Sequence, residues 1–301
     1  MQKDFLVQPS RVIDTESHSI HYFDNESGDN IDVEVVNTFG EEWSKFHSFK
    51  EEDLDKAGKN YFRLLTDEMC NKDTYGIDLG CGTGRWTKYL SSRIGFMECL
   101  DPSEAIYAAK HVLSKVSNVR LIKASIDNIP FPDNTFDFAM SVGVLHHIPD
   151  TQLAMKSCVT KVKKGGYFYA YLYYNMEDRG PLFKLVFAIS DLIRKIVSHL
   201  PSVLKKVICD IIALLIYFPL VSISRLLTKL GFSKLGRKIP LSSYSDKSFY
   251  IMRNDALDRF GTKLEQRFSR EEIKTMMKNA GLDNIVVSDK KPYYTAIGQK
   301  K

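Results

Sequence analysis

The sequence predicts a doubly wound α/β fold, a parallel sheet with helices on both faces. Two observations carry this prediction. Short apolar runs of strand length alternate with helical patterns between Tyr75 and Leu172, and a turn built from three glycines follows the first run. Tyr75–Leu79 reads as a buried strand, and Arg85–Leu90 opens a helix. Gly80, Gly82 and Gly84 make the turn between them, where side chains are absent and a ligand can approach the backbone. Phe96–Leu100 is the second strand, followed by a helix from Ser103 toward Lys115. Val119–Lys123 and Phe136–Val142 are further strands, a helix follows Pro149, and Gly166–Leu172 is the fifth strand. The pattern resumes near the carboxyl end, where Ser269 and Glu272 form a capping box, Gly281 stops that helix, and Asn284–Ser288 and Tyr293–Ile297 complete the sheet. Four segments follow: an N-terminal cap (1–60), a core (61–176), a helical insertion after the fifth strand (177–250) and the C-terminal part of the core sheet (251–301).

A hydrophobic content of 44% suits an ordinary packed core. Cys70, Cys81, Cys99, Cys158 and Cys209 are odd in number and lack CxxC or metal-ligand spacing, so the reading is a reducing compartment and no metal site. The first residues lack the apolar core of a signal peptide, which sets the expectation of a cytoplasmic protein, with the inner face of a membrane as a second location. The net charge of +5 is unevenly spread. Residues 181–240 hold ten Lys or Arg against Asp191 and Asp210, a net of +8, which leaves −3 elsewhere. That balance argues against a nucleic-acid-binding body and for one basic, apolar segment with its own task.

The turn reads Asp78-x-Gly80-x-Gly82-x-Gly84, with an acid two residues before the first glycine, unlike the G-x-G-x-x-G of dinucleotide binders. A carboxylate there suits a cationic group better than a pyrophosphate. Asp101, in "CLDPS" at the end of the second strand, is placed to accept hydrogen bonds from ribose hydroxyls. Taken singly, each acid is equally an ordinary helix cap, and Asp133 and Asp137 read as turn and strand-start residues.

Through "IDLGCGTGRW", "LDPS", "IPFPDNTFDFAMSVGVLHHIPD" and "VKKGGYFYAYL", and more weakly "REEIKTMMKNAGL", the chain resembles the class I S-adenosylmethionine-dependent methyltransferases, in particular the small-molecule group that includes the ubiquinone and menaquinone methyltransferases. The resemblance implies a Rossmann-like sheet of seven strands and S-adenosyl-L-methionine as cofactor. It implies that Asp78 and the turn Gly80, Cys81, Gly82 and Gly84 hold the methionine end, that Asp101 and Pro102 meet the ribose, that Ser125 and Ile126 meet the adenine, and that Val142 lies against the cofactor. One departure stands out. The family commonly has Gly-Asp where this chain has Ala124-Ser125, so a hydroxyl replaces a carboxylate, and either Asp127 compensates or affinity falls.

A methyl group on a sulfonium is already activated, so such an enzyme chiefly aligns the acceptor and excludes water. A hydroxyl acceptor also needs a base, and "VLHHIPD" offers His146, with His147 packing or bonding to backbone. A purely structural His146 is the competing reading. Tyr173 and Tyr174 end the fifth strand as candidate acceptor-binding rings, whereas Tyr167, Tyr169 and Tyr171 read as sheet packing. Asp255, Asp258, Arg259 and Arg267 are weaker candidates for a polar acceptor, surface ion pairs being the alternative. Phe39, Trp43 and Phe46 recur at helical spacing and either cap the site or pack in the core. Glu41 and Glu42 serve the cofactor's amino group or are merely solvated.

The insertion predicts three amphipathic helices broken at Pro201 and Pro219. Its apolar run Ile211–Phe218 falls short of the roughly 20 residues a membrane span needs. Three roles stay open: a closed helical roof, a peripheral membrane contact, or self-association through 181–240. The function expected is methyl transfer to a small molecule, oxygen favoured, lipid-linked or sugar-containing. A non-catalytic cofactor-binding or membrane-associated scaffold is the alternative, and an NAD-dependent oxidoreductase is disfavoured by the glycine spacing.

Overall fold

The computed structural model describes residues 2–15, 17–23, 30–43, 51–178, 180–289 and 294–301. Phe46 and the side chains of Phe39, Glu41, Glu42 and Trp43 lie outside what is described. The chain divides into two compact units, Met1–Glu177 with Leu264–Lys301, and Asp178–Lys263.

In chain order the first unit contains β1 (Arg11–Ile13), β2 (Ile20–Tyr22), α1 (Val33–Trp43), α2 (Glu51–Tyr61), β3 (Tyr75–Leu79), α3 (Arg85–Leu90), β4 (Phe96–Leu100), α4 (Ala105–Val112), β5 (Val119–Lys123), β6 (Phe136–Val142), α5 (Thr151–Lys161) and β7 (Val162–Tyr171). The second unit holds α6 (Pro181–Val197), α7 (Ser202–Ile212), α8 (Phe218–Lys229), α9 (Ser233–Gly236) and α10 (Phe249–Gly261). The chain then returns to the first with α11 (Arg270–Asn279), β8 (Leu282–Val287) and β9 (Thr295–Lys300).

Among the described residues the strands form one sheet in the order β1-β2-β5-β4-β3-β6-β7-β9-β8. The seven strands from β5 to β8 are the sheet the sequence predicts. β5, β4, β3, β6 and β7 run parallel, and β9 is antiparallel to both β7 and β8. β1 and β2 extend the sheet beyond β5, and at three residues each they are too short to announce themselves by alternation. β3 has β4 on one side and β6 on the other, so the strand order reverses there. In open sheets a ligand binds at the carboxyl end of such a strand.

β3 is buried throughout, as a central parallel strand must be. Ile77, Leu79, Phe136, Phe138, Phe168 and Tyr169 fill the space between sheet and helices. One ion pair is sealed inside: Arg120 on β5 donates to both carboxylate oxygens of Glu98 on β4, at 2.8 and 2.7 Å, and the Tyr75 hydroxyl donates to the same carboxylate at 2.6 Å. Helix ends follow their sequence signals. Asp150 caps α5 by accepting from the Leu153 N–H, and Ser269 with Glu272 completes the capping box of α11.

The helical unit departs from its sequence reading in two ways. α7 does begin after Pro201, but Pro219 breaks nothing. Ser202–Lys229 is one continuous helical stretch of 28 residues, with a π turn at Ala213–Tyr217 immediately ahead of the proline. A proline inside a helix lacks an N–H and crowds the carbonyl four residues back, and a widened turn relieves both problems. By length and composition this stretch is long and apolar enough to cross a membrane, because the helix runs on through Pro219 instead of ending there. The second departure is the boundary. The sequence reading places residues 251–263 with the core sheet, whereas α10 packs on α6 and α7. Met252, Ala256 and Phe260, four apart on α10, close the unit's core against Cys209, Ala213 and Tyr217.

Candidate functional site

The turn after β3 is fixed by its backbone. The N–H groups of Gly80 and Cys81 donate to the Leu100 carbonyl at the end of β4, at 2.8 and 3.0 Å, and the Gly84 N–H donates to the Cys81 carbonyl at 2.9 Å. Gly80, Gly82 and Gly84 all have φ in the left-handed region, at 81°, 53° and 72°. They serve different ends. A Cβ on Gly80 would strike Val144 at 2.5 Å and one on Gly84 would strike Leu113 at 2.7 Å, so these two permit close packing. A Cβ on Gly82 meets nothing within 4 Å among the described residues, so its backbone faces open space.

Two acids flank this opening. Asp78 is 1% exposed and accepts from the Thr87 hydroxyl at 2.8 Å. Burial pushes its pKa up to about 7, the Thr87 bond pulls against this, and the nearby Asp101 charge adds to the rise. Asp101 accepts from the Gly82 N–H at 2.7 Å and from the Ser103 N–H and hydroxyl at 2.9 and 2.6 Å. An ionised carboxylate has about four acceptor positions, so one remains for a ligand. Burial raises the Asp101 pKa as well. Cys81 is buried with its thiol pushed well up by burial, a packing residue beside the turn. Pro102 is half-buried after Asp101. Ser125 and Ile126, both buried, begin the one-turn helix after β5, where the Ser125 carbonyl accepts from the Asn128 N–H, and Asp127 lies on the same turn. Val142 ends β6 with 7% exposure.

A second cluster lies just past β6. His146 is fully buried in the turn Leu145–His147 and stacks on Tyr173, ring centroids 3.9 Å apart, with the Tyr171 edge 6.5 Å away. Among the described residues neither of its ring nitrogens has a hydrogen-bond partner. Burial, then the charges of His147 and Arg267, hold its pKa well below the usual histidine range, so the ring is neutral at pH 7. His147 instead has its Nδ1 at 2.8 Å from the Leu264 carbonyl. Val144, two residues before His146, is the side chain packed against Gly80, which ties this cluster to the glycine turn.

The segment 264–268 closes over the histidine turn, and sequence reasoning foresaw only Arg267 within it. The Gln266 N–H donates to the His146 carbonyl at 2.9 Å, and its side-chain amide donates to the Ile148 carbonyl at 2.7 Å. The Arg267 guanidinium sits 5.0 Å over the Tyr173 ring and pairs with Glu265 at 2.6 Å. "LEQRF" has no periodicity to flag it; alternating polar residues just before a helix cap are the only available signal. Tyr61, also unforeseen, rests on Trp86 and on Tyr171, with centroids 4.6 and 5.0 Å away. Of the remaining candidates, Tyr174 is buried edge-on against Tyr294 and packs in the core. Asp255, Asp258 and Arg259 belong to the helical unit: the Tyr217 hydroxyl donates to Asp255 at 3.1 Å, the Asp258 carbonyl accepts from Thr262, and Arg259 lies over Phe187. Among the described residues no group of three or more His, Cys, Asp or Glu could hold a metal ion.

These residues fit S-adenosylmethionine. The open space at Gly82 admits a ligand against the backbone, buried Asp78 can ionise toward an ammonium, and Asp101 keeps an acceptor position for a hydroxyl.

Residues 77–170 match a family described as a methyltransferase domain. The chain is 32% identical over 108 residues to the demethylmenaquinone methyltransferases of Staphylococcus aureus strains JH9 and Newman, a span of 35% of this chain and 45% of those proteins. It therefore covers less than half the length of the curated relatives it matches. Among solved structures it is similar to a methyltransferase of Thermotoga maritima described as a possible histamine N-methyltransferase (TM-score 0.45, 20% identity, 89% of this chain and 99% of that one). It is also similar to an S-adenosylmethionine-dependent methyltransferase of Aquifex aeolicus (TM-score 0.44, 15% identity, 84% and 98%). The family match runs from β3 to β7 and includes the glycine turn between Asp78 and Asp101, and so residues 77–170 are a methyltransferase domain of the class I, S-adenosylmethionine-dependent kind.

Proposed function

We propose that this protein transfers the methyl group of S-adenosylmethionine to a hydroxyl of a small-molecule acceptor, with His146 as the general base. The observation that carries the reading is Gly82, left-handed and open to space, between two buried acids at the point where the strand order reverses. The bound cofactor supplies an electrophilic methyl group. The chain's own residues bind, orient and manage the proton. Ionised Asp78 pairs with the cofactor's ammonium group, Asp101 accepts from a ribose hydroxyl, and Ser125 with Ile126 borders the adenine.

Methylating a hydroxyl releases one proton for each methyl transferred. His146 is neutral and its ring nitrogens hold no competing bond among the described residues, which suits it to receive that proton. Arg267 and His147 disfavour a lasting imidazolium, so the proton must pass on before the next turnover. Tyr173, stacked on His146, is read as one wall of the acceptor site. The demethylmenaquinone named for the curated relatives supports an acceptor with a large apolar part.

Incubating the full chain with methyl-labelled S-adenosylmethionine and fractionated lipid and polar extracts tests the proposal. Label should enter an extractable small molecule as a methyl ether, lost on treatment that cleaves ethers. Cofactor binding without label transfer to any fraction would favour a non-catalytic scaffold instead.

A further inference from the structure

Outside its own packed core the helical unit also exposes apolar side chains, at positions where helices in water place polar ones. Its exposed positions include Leu192 and Ile196 on α6, Leu215 in the π turn, and Leu226 and Leu230 at the end of α8, each between 57% and 66% exposed. Two of its cations are held inside: Arg194 is buried and donates to the carbonyls of Thr262 and Lys263 at 3.0 and 2.9 Å, and Lys205 is buried. Single exposed leucines are ordinary, but runs of them mark an interaction surface.

We infer that this face of the helical unit docks on an anionic membrane surface, with its apolar side chains in the interfacial layer. Charge selects that occupant. Between Asp210 and Asp246 the chain has no acid at all, yet it carries Arg225, Lys229, Lys234, Arg237 and Lys238. Lys229, Lys234 and Lys238 are exposed beside the exposed Leu230, Phe232 and Leu235. A second copy of the same face would set these cations against one another, whereas anionic headgroups neutralise them. The unit lies on the bilayer and does not span it. α7 packs against α10, whose Arg253, Asp255, Asp258 and Arg259 would otherwise enter hydrocarbon with it. This inference concerns attachment and stands apart from the methyl-transfer reading.

Flotation of the full chain with phosphatidylcholine vesicles, with and without phosphatidylglycerol, tests it. Wild type should float with the anionic vesicles at low salt and be largely released at about 1 M salt, where the Debye length falls to about 3 Å. Lys229→Gln, Lys234→Gln and Lys238→Gln together should lower partitioning on the order of a hundredfold. Leu215→Gln with Leu226→Gln should also lower it, while S-adenosylmethionine binding, measured on the same preparations, confirms that each variant is folded. Three results would overturn the inference: wild type that stays at the bottom with anionic vesicles, flotation indifferent to both lipid charge and the lysine changes, or a stable dimer that the leucine changes dissociate. Retention in native membranes through alkaline carbonate extraction would show a spanning helix and overturn it as well.

Discussion

The Asp101 carboxylate accepts a hydrogen bond from the Gly82 N–H at 2.7 Å, across 19 residues of chain. This bond ties the end of β4 to the turn after β3. Asp101 therefore has two tasks, holding the turn and meeting a ligand. Asp101→Ala should weaken cofactor binding and also lower the melting temperature, because hydrogen bonds to a charged acceptor are worth about 1.5–3 kcal/mol each. Calorimetric titration alongside a thermal melt checks both, and an unchanged dissociation constant would remove Asp101 from the cofactor site.

Asp78 gives the binding a pH dependence. Its pKa rises on folding from 3.8 to about 7, so the folded chain keeps a proton that the unfolded chain has released. The stability this contributes is full below about 3.8 and declines as pH climbs to about 7. Cofactor binding runs the other way, since only the ionised carboxylate pairs with an ammonium. Affinity should rise by up to about tenfold per unit below pH 7 and level off above it. Titrations across pH 5.5–8.5, about three units centred on the expected value, read this directly. Asp78→Asn should flatten the profile and weaken binding throughout.

His146→Ala should lower turnover on the order of 10²–10⁴-fold without weakening cofactor binding, as expected on removing a general base. His147→Ala loses one hydrogen bond to the Leu264 carbonyl and should cost about 1 kcal/mol of stability, with activity retained. Steady-state kinetics and urea unfolding on both variants separate these effects. Full activity in His146→Ala would mean that alignment alone suffices.

Arg120→Ala strands the Glu98 carboxylate inside the sheet, where burial already raises its pKa against the pull of Arg120. The loss should be about 3–5 kcal/mol, the cost of breaking a buried pair on one side. Urea unfolding measures it. A loss below about 1 kcal/mol would mean that water reaches Glu98.

Much of this was legible beforehand where chemistry is local. The glycine turn, the capping box at Ser269 and the five parallel strands depend on nearby residues, and each appears close to where spacing predicts it. Long-range effects were not legible. β1 and β2 are three-residue strands defined by their neighbours, and α10 belongs to the helical unit only because its apolar stripe meets α7. Pro219 looked like a helix break because the π turn that accommodates it has no sequence mark. The ten basic residues in 181–240 read as the polar face of amphipathic helices, yet Arg194 and Arg225 are bonded to backbone carbonyls and Lys205 is buried. At the site, segment 264–268 reaches the histidine turn from more than a hundred residues away, as in the 117-residue separation of His147 and Leu264.

Whether the turn at Gly82 holds a sulfonium cofactor is read by calorimetric titration of wild type and Gly82→Val with S-adenosylmethionine, S-adenosylhomocysteine and NAD, with circular dichroism confirming that the variant is folded. Wild type should bind the first two and not NAD, and a folded Gly82→Val should bind none, because its branched side chain fills the space left open at this position. Binding of NAD alone by wild type, or undiminished S-adenosylmethionine affinity in the folded variant, would contradict the account.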